Sequence, residues 1–382
     1  MPKQNKIPTQ QQIRLLHLRE IYLTVLYRGS ASRTDLKQKL GLSAPSISAL
    51  VDTLLQQNIL YETDAHSTVT RGRPVTQLGV VPESYAVPVV EMTRSGYQAV
   101  LYNGCAQPID ARFLPFPENA PSAIARLCSP LQEWLSHCRR YTIAVLLLVF
   151  PGSQRADGTL RSTPLALQTP PAFLDTLTKV TGLRVLLENT SDCNAYAEKR
   201  SQQLPEDYIF LHVGEGVGAG IIRSGKLLKI NGHRPGEIGH VSIDYRGRPC
   251  SCGRKGCLER YISISNIAHD GAVFTGSIAD FTGLCTLYQA KNPSVTAFLE
   301  EKAGVLAIGL QTLLSIYPAS HVVLGGGIEQ LGNTFLQAVY RSLEMSDPPK
   351  LTWTAGSPQN TAVGALWNYL DNHLRMEDIL KE

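Results

Sequence analysis

The chain has 382 residues, of which 43% are hydrophobic, and its formal net charge is +4 at neutral pH. This length exceeds that of an ordinary single domain, so two or three domains with real cores are expected. The longest apolar run, residues 143–150, is too short to cross a bilayer, and the polar N-terminus lacks the apolar core of a signal peptide. We therefore expect a cytoplasmic protein that is neither inserted in a membrane nor secreted.

The positive charge is concentrated near the N-terminus. Residues 1–80, which we call the head, carry ten basic and five acidic side chains, a net charge of +5. Residues 81–382 are left with a net charge of −1, and we call residues 82–382 the body. A basic head on a nearly neutral body suggests that the head binds a polyanion such as nucleic acid.

The head shows the signals of three helices followed by two strands. Residues 11–27 form an amphipathic pattern, and Ser32 with Asp35 reads as the capping box of a second, short helix. Ser43 can cap a third helix, which continues with an apolar stripe at helical spacing. Residues 59–62 and 75–78 read as two strands around a polar loop.

This order of elements predicts a winged helix-turn-helix, and the alternative is a small helical module for protein interaction. Small residues at the start of the third helix would meet base edges in the major groove. An Arg-Gly-Arg sequence in the loop would enter the minor groove or clamp phosphates. The predicted DNA-binding residues are Ser43, Ala44, Ser46, Ala49, Arg71 and Arg73.

The body alternates strand-like and helix-like segments, which predicts an α/β fold with mostly buried sheets. The predicted strands are residues 141–150, 185–188, 208–213 and 321–324, and the clearest helix is residues 295–317.

One stretch of the body concentrates metal-binding residues in the order His-x9-Cys-x-Cys-x4-Cys. Its members are His240, Cys250, Cys252 and Cys257. Thiolates and a neutral imidazole are the four ligands that a structural zinc ion prefers, so we predict zinc here; core thiols or a disulfide are the alternative. Five scattered cysteines are expected to be free thiols in a reducing compartment, namely Cys105, Cys128, Cys138, Cys193 and Cys285.

Two motifs of this region resemble the ROK family, which comprises repressors, open-reading-frame proteins and sugar kinases. They are Pro-Gly-Glu-Ile-Gly-His at residues 235–240 and Cys-Ser-Cys-Gly-Arg-Lys-Gly-Cys-Leu-Glu at residues 250–259. The resemblance extends more loosely over residues 85–370, and the head resembles the DNA-binding domain that ROK repressors carry and plain ROK kinases lack.

The resemblance implies a two-lobed, actin-like body of the ribonuclease H-like sugar kinase type, with a cleft between the lobes. Domain boundaries follow from it: a winged helix-turn-helix at residues 1–80, a first lobe at 82–192 completed by a C-terminal helix at 362–382, and a second lobe at 193–361 that carries the zinc motif.

Kinases of this family bind phosphate through a loop of the form Asp-x-Gly-Gly-Thr, which this chain lacks. Residues 90–95 read Val-Glu-Met-Thr-Arg-Ser, so no glycine lets the backbone approach a phosphate closely. A second loop, residues 214–220, keeps its glycines but places Glu215 where the family usually has Thr, and a carboxylate repels a triphosphate. The family's third glycine-rich segment is retained at Gly325–Gly327. We therefore expect no enzymatic phosphoryl transfer.

The sugar-binding positions of the family are better preserved, and the resemblance places them at Asn189, Asp192, Glu237, His240 and Glu259. Asp192 corresponds to the catalytic base of the kinases, although two extra residues separate it from Asn189. Carboxylates accept hydrogen bonds from sugar hydroxyls, and the metal would fix the orientation of His240. The alternative is that these residues are inherited scaffolding and bind nothing.

Three functions remain open. The first is a sugar-responsive regulator, most simply a repressor, whose homodimer or tetramer binds a double-stranded DNA operator and responds to a sugar or sugar phosphate. The second is an ATP-dependent hexose kinase that carries a DNA-binding head. The third is a regulator controlled by a protein of the sugar phosphotransferase system.

Overall fold

The chain folds into two compact units, each of which mixes helices and strands. The first contains Met1–Leu148, Ala172–Leu186 and Asn368–Glu382, and the second contains Val149–Pro171 and Leu187–Trp367. Within the described residues, none of the helices combines the length and the apolarity that a membrane span requires. The structure is a computed structural model that describes residues 9–64, 76–138, 140–230, 235–356 and 360–380.

The head contains three helices and a small antiparallel sheet. Its elements are α1 (Gln10–Arg28), β1 (Ala31–Ser32), α2 (Arg33–Leu40), α3 (Ala44–Gln56), β2 (Leu60–Asp64) and β3 (Thr76–Val80), with the strands in the order β1-β3-β2. Thr9, Ser32 and Ser43 cap the three helices, because the side-chain oxygen of each accepts a hydrogen bond from a backbone N–H in the first turn. The predicted capping box of Ser32 and Asp35 is confirmed.

The rest of the first unit is built on a five-stranded sheet in the order β11-β7-β4-β5-β6. Its elements begin with β4 (Ala86–Met92), β5 (Gly96–Asn103), β6 (Pro108–Pro115), α4 (Ala123–His137) and β7 (Leu146–Phe150). The chain then forms β8 (Ser153–Gln154), β9 (Leu160–Ser162) and β10 (Leu167–Gln168), a small sheet of the second unit, before α5 (Phe173–Thr181) and β11 (Val185–Asn189). The predicted strand at 141–150 is shorter than expected, since residues 141–145 contribute only an isolated bridge between Ile143 and Ala86.

The second unit continues with helices on both faces of a mixed sheet, whose strand order is β14-β13-β12-β15-β16. Its elements are α6 (Thr190–Ser201), β12 (Tyr208–Val213), β13 (Val217–Arg223), β14 (Lys226–Leu227), α7 (Glu259–Ile262), α8 (Ile264–Asp270), α9 (Ala272–Thr275), α10 (Phe281–Gln289), α11 (Pro293–Ile316), β15 (His321–Gly325), α12 (Gly332–Arg341), β16 (Lys350–Trp353) and the start of α13 (Asn360–Asn372). Short 3-10 turns lie at Pro82–Ser84, Ile238–His240, Ile328–Leu331 and Met376–Asp378.

The alternation of side chains along β12 places a core on each face of this sheet. Ile209, Leu211 and Val213 pack with residues of α7, α8, α10, α11 and α12, whereas Tyr208 and Phe210 pack with residues of α6. Because side chains alternate with a period of two, an uninterrupted apolar strand must be covered on both faces. The predicted α/β architecture with buried sheets is therefore confirmed.

Candidate metal centre and ligand site

The four predicted metal ligands come together in the second unit. The ligand atoms of His240, Cys250, Cys252 and Cys257 all lie within 4.8 Å of one another. The Sγ of Cys250 is 3.7 Å from the Nδ1 of His240, and the Sγ atoms of Cys252 and Cys257 are 3.6 Å apart. Zn–S bonds of about 2.3 Å in a tetrahedron put two sulfurs roughly 3.8 Å apart. The cluster could therefore hold a metal ion of that kind.

A tight hairpin presents two of the cysteines. Pro249 and Lys255 form an antiparallel bridge, and the backbone N–H of Cys250 donates to the carbonyl oxygen of Arg254 at 2.8 Å. A second antiparallel bridge joins Ser242 to Cys257, so the third cysteine is held beside the turn that carries His240. Backbone hydrogen bonds thus set the positions of these ligands.

The thiols of Cys252 and Cys257 have pKa values shifted in opposite directions. Burial disfavours the thiolate of Cys252, but hydrogen bonds from the backbone and side chain of Arg254 outweigh it and lower its pKa to about 6. Burial and the neighbouring thiols raise the pKa of Cys257 to about 12. A bound dication would favour the thiolate form of all three cysteines, because metal binding displaces the thiol proton.

The small β8–β10 sheet holds the turn between Cys250 and Cys252. The guanidinium of Arg161 donates to the carbonyl oxygen of Ser251, and the hydroxyls of Thr163 and Ser251 are 2.9 Å apart. Sequence reasoning missed this contact, because about 90 residues separate the partners and no motif marks Arg161 or Thr163.

A buried ion cluster ties the hairpin to two helices. The ammonium of Lys302 on α11 is 2.6 Å from the carboxylate of Asp270 at the end of α8, and Arg248 is 2.9 Å from the same carboxylate. The side chain of Lys302 is only 6% exposed. A lysine among the apolar positions of the predicted helix at 295–317 was the available signal for this cluster.

The turn with His240 and the side chain of Glu259 both meet the start of β13. A Cβ on Gly239 would lie 2.2 Å from the carbonyl oxygen of Val217, so glycine is required for this approach. Glu259 is 5% exposed and accepts a hydrogen bond from the backbone N–H of Val217 at 3.1 Å. Burial raises the pKa of Glu259, assisted by the negative charge of Glu237 and opposed by the Val217 N–H and by His240. Glu237 itself is exposed.

Asn189 and Asp192 lie at the N-terminus of α6, which also packs on β13. The side-chain oxygen of Asn189 caps the helix by accepting from the backbone N–H of Ser191 at 2.8 Å, and its amide donates to the carbonyl oxygen of Gly152 at 3.0 Å. Asp192 lies in the first turn and is 6% exposed. The Oγ of Ser191 lies 2.8 Å from the place that a Cβ on Gly218 of β13 would take.

The loops that would hold phosphates in a kinase are short turns. Thr93 follows β4, and both its backbone N–H and its hydroxyl donate to the carbonyl oxygen of Gly96, at 2.8 and 2.9 Å. In the second unit, Gly214 donates to the carbonyl oxygen of Gly216, and Glu215 between them is exposed. His212 lies beneath this turn, and burial lowers its pKa to about 4.

In the head, one face of α3 is buried, and the N-terminal half of the opposite face is exposed. Four of the predicted DNA-binding residues are exposed, namely Ser43, Ala44, Ser46 and Ala49, whereas Ile47, Leu50, Val51 and Leu54 are buried. Arg33 of α2 forms ion pairs with Asp52 and Glu62, which tie α2 to α3 and β2. Arg71 and Arg73, the other predicted DNA-binding residues, lie outside the described residues.

Comparisons with known proteins fit this architecture. The uncharacterized protein YphH of Escherichia coli (strain K12) is 25% identical over 347 residues, which cover 87% of each chain. The N-acetylmannosamine kinase of Escherichia coli O157:H7 is 31% identical over 243 residues, 60% of this chain and 79% of the kinase.

The crystal structure of a ROK family transcriptional regulator, a homolog of the E. coli MLC protein, matches with a TM-score of 0.79. The match has 21% sequence identity and covers 96% of this chain and 99% of the regulator, so it shows a shared fold. The sequence profile described as the ROK family matches residues 117–365, well over half of the chain. The chain belongs to the ROK family.

Proposed function

We propose that the protein is a sugar-responsive transcriptional regulator, most simply a repressor of genes for carbohydrate uptake or metabolism. In this proposal the head binds a double-stranded DNA operator as a winged helix-turn-helix, and the body binds a sugar or sugar phosphate. The single observation that carries the proposal is the architecture of the head. It is a basic segment in which the N-terminal half of α3 presents one exposed face.

The geometry of α3 suits a recognition helix. Its buried residues, Leu50 and Leu54 among them, pack inside the head, so its exposed residues are free to lie in a groove. Ser43, Ala44 and Ser46 are small and lie at the helix N-terminus, where the backbone N–H groups and the helix dipole favour phosphate. The strands β2 and β3 form the base of a wing, and Arg71 and Arg73 fall in the segment between them.

We further propose that His240, Cys250, Cys252 and Cys257 bind one structural zinc ion. The donor set is of the kind that zinc prefers, and the spacings of about 3.7 Å fit the edges of a tetrahedron. The metal would fix the ring of His240 through Nδ1, the nitrogen nearest the thiol of Cys250.

The sugar site of the proposal comprises Asn189, Asp192, Glu237, His240 and Glu259. Their elements converge on the first half of β13, which lies against α6, against the turn at Ile238–His240 and against the carboxylate of Glu259. Carboxylates and an imidazole on one wall can bind several hydroxyls of one ring. Occupancy regulates the head only if the ligand binds the two states of the protein with different affinity.

The kinase alternative has relatives in its favour but chemistry against it. The N-acetylmannosamine kinase matches 60% of this chain, whereas the regulator structure matches 96%. The turn that starts at Thr93 has no glycine before Gly96, and the backbone N–H of Thr93 already donates to the carbonyl oxygen of Gly96. A coupled ATPase assay with a panel of hexoses tests the alternative, because sugar-dependent turnover would establish it.

The experiment that tests the proposal is capture of sheared genomic DNA by the purified protein at physiological salt, followed by sequencing. We expect discrete sites with two-fold symmetry, because a dimer places two α3 helices about one helical turn, roughly 34 Å, apart. Random fragments that are lost as salt rises would indicate phosphate binding alone and would refute a specific regulator.

A matched pair of variants locates the DNA surface. Ala49→Glu puts a negative charge on the exposed face of α3, and Gln56→Glu puts the same charge at the other end of that helix. We expect A49E to lose the discrete sites and Q56E to keep them. Equal loss in both variants, or none in A49E, would contradict the assignment of α3 as the recognition helix.

A further inference from the structure

One helix, α13, belongs to both units of the chain. Its residues up to Trp367 lie in the second unit, and those from Asn368 onward lie in the first. The helix runs without a break from Asn360 to Asn372. Because an α-helix is stiff and rises 1.5 Å per residue, it carries a displacement at one end to the other.

The first half of α13 packs directly on α6. A Cβ on Gly364 would lie 1.7 Å from the carbonyl oxygen of Cys193, so the two helices touch through their backbones. The hydroxyl of Thr361 donates to the side-chain oxygen of Asn194 at 3.1 Å, and the amide of Asn360 donates to the fully buried carboxylate of Glu198 at 3.3 Å. With no free space between the helices, α13 must follow a shift of α6.

The other end of α13 is held by the head. The guanidinium of Arg19 on α1 donates to the carbonyl oxygens of Leu370, at 2.8 Å, and Asp371. A cation at the last carbonyls of a helix is favoured by the helix dipole. The hydroxyl of Tyr27, also on α1, donates to the carboxylate of Asp371. Two side chains of one head helix are therefore hydrogen-bonded to the end of α13.

The helix α1 in turn contacts the proposed recognition helix. The guanidinium of Arg14 donates to the hydroxyl of Thr53 on α3 at 2.9 Å. The buried middle of α1 is anchored in the same unit by Tyr22, whose hydroxyl lies 2.5 Å from that of Tyr85 and donates to the carbonyl oxygen of Gly104 at 2.7 Å. A change in the contacts between α13 and α1 is therefore expected to alter the position of α3.

We propose that α13 is the regulatory link between the ligand site and the head. A ligand that moves the first turn of α6, which carries Asp192, shifts α13 through Gly364, and α13 changes the position of α1 through Arg19. The distance along the helix from Gly364 to Leu370 is about 9 Å. The inference rests on the proposed function for the meaning of its two ends, but the mechanical coupling can be measured without it.

The test perturbs one end and reads the other, with neither DNA nor sugar present. Gly364→Ala forces α13 away from Cys193, and amide hydrogen exchange is followed in residues 18–25 of α1. We expect exchange there to rise about five- to tenfold, in the lower range of allosteric couplings. Gly309→Ala on α11 is the matched control, since its Cβ would lie 2.2 Å from a methyl carbon of Leu258 within the second unit.

Two further variants complete the design. Thr361→Val removes one hydrogen bond between α13 and α6 without a clash, so a smaller change in the same direction is expected even if G364A folds poorly. In Arg19→Ala, which breaks the grip on α13, adding G364A should change exchange in α1 no further.

Equal exchange of α1 in G364A and G309A, or no change in G364A and T361V, would overturn the coupling. Such a failure refutes the link alone, whereas recovery of random DNA in the capture experiment refutes the proposed function alone.

Discussion

Substitution of Asp270 by Asn tests what the buried ion cluster contributes to the second unit. The carboxylate of Asp270 is 2.6 Å from the ammonium of Lys302 and 2.9 Å from Arg248. Lys302 lies on the buried face of α11, whereas the side chain of Arg248 is 40% exposed. In D270N, Lys302 keeps its charge but loses Asp270. Among the described residues, Asp270 is the only acidic side chain that forms an ion pair with Lys302.

The Lys302–Asp270 and Arg248–Asp270 pairs contribute differently to stability because they differ in burial. Removing one partner of a buried pair typically costs about 3–5 kcal/mol, whereas an exposed pair contributes about 0–1 kcal/mol. The Lys302 pair therefore dominates, and we expect D270N to lower the free energy of unfolding by about 3 kcal/mol. For a unit of roughly 200 residues this corresponds to a fall in Tm of about 6–12 °C.

The assay is thermal and urea unfolding of D270N, of Lys302→Met and of the double variant. We expect D270N/K302M to recover most of the loss, because the double change removes both buried charges. A D270N protein within about 1 kcal/mol of the parent, or a double variant less stable than D270N, would refute the reasoning.

The pH dependence supplies an internal check on the same cluster. Burial disfavours the carboxylate of Asp270, but hydrogen bonds from Lys302 and Arg248 outweigh it and lower its pKa. A depressed folded-state pKa stabilises the protein above the unfolded value of about 3.9. This contribution is lost as pH falls through the folded-state pKa, so the stabilities of parent and D270N should converge in acid.

Three further outcomes are expected. Metal analysis should find one zinc per chain, lost in Cys252→Ser but retained in Cys285→Ser, whose buried thiol lies outside the cluster; zinc retained in C252S would contradict the ligand set. Burial lowers the pKa of His212 to about 4, so stability should fall as pH decreases from about 6.5 to 4, and an unchanged profile in His212→Gln would exclude this histidine. Tyr22→Phe should cost about 1–2 kcal/mol in urea unfolding, because it leaves the buried hydroxyl of Tyr85 without its partner; an unchanged midpoint would contradict this.

Local signals in the sequence predicted the elements well. The helix expected at 11–27 is Gln10–Arg28, and the strand expected at 208–213 is Tyr208–Val213. Caps, periodicity and apolar runs act over a few residues, so they can be read without knowledge of the fold. The strand expected at 141–150 was overextended, because an apolar run does not show where a neighbouring strand is available for pairing.

The same distinction applies to the site. The four metal ligands lie within eighteen residues, and their proximity followed from spacing alone. The hold of Arg161 on Ser251 and the pairing of Lys302 with Asp270 join distant segments, and no local pattern predicts which charged side chains the fold brings together. Binding of sugar and DNA by the predicted residues stays a prediction.

The way the head is built into the first unit bears on how ROK family proteins exchange their heads in evolution. The hydroxyl of Tyr22 and the guanidinium of Arg19 both form hydrogen bonds to residues outside the head, at Tyr85, Leu370 and Asp371. A head transplanted from a distant relative would remove these hydrogen bonds unless it brought matching side chains on its first helix. Chimaeras should therefore be viable only when α1 stays with its native body and the exchange is confined to α2, α3 and residues 60–80.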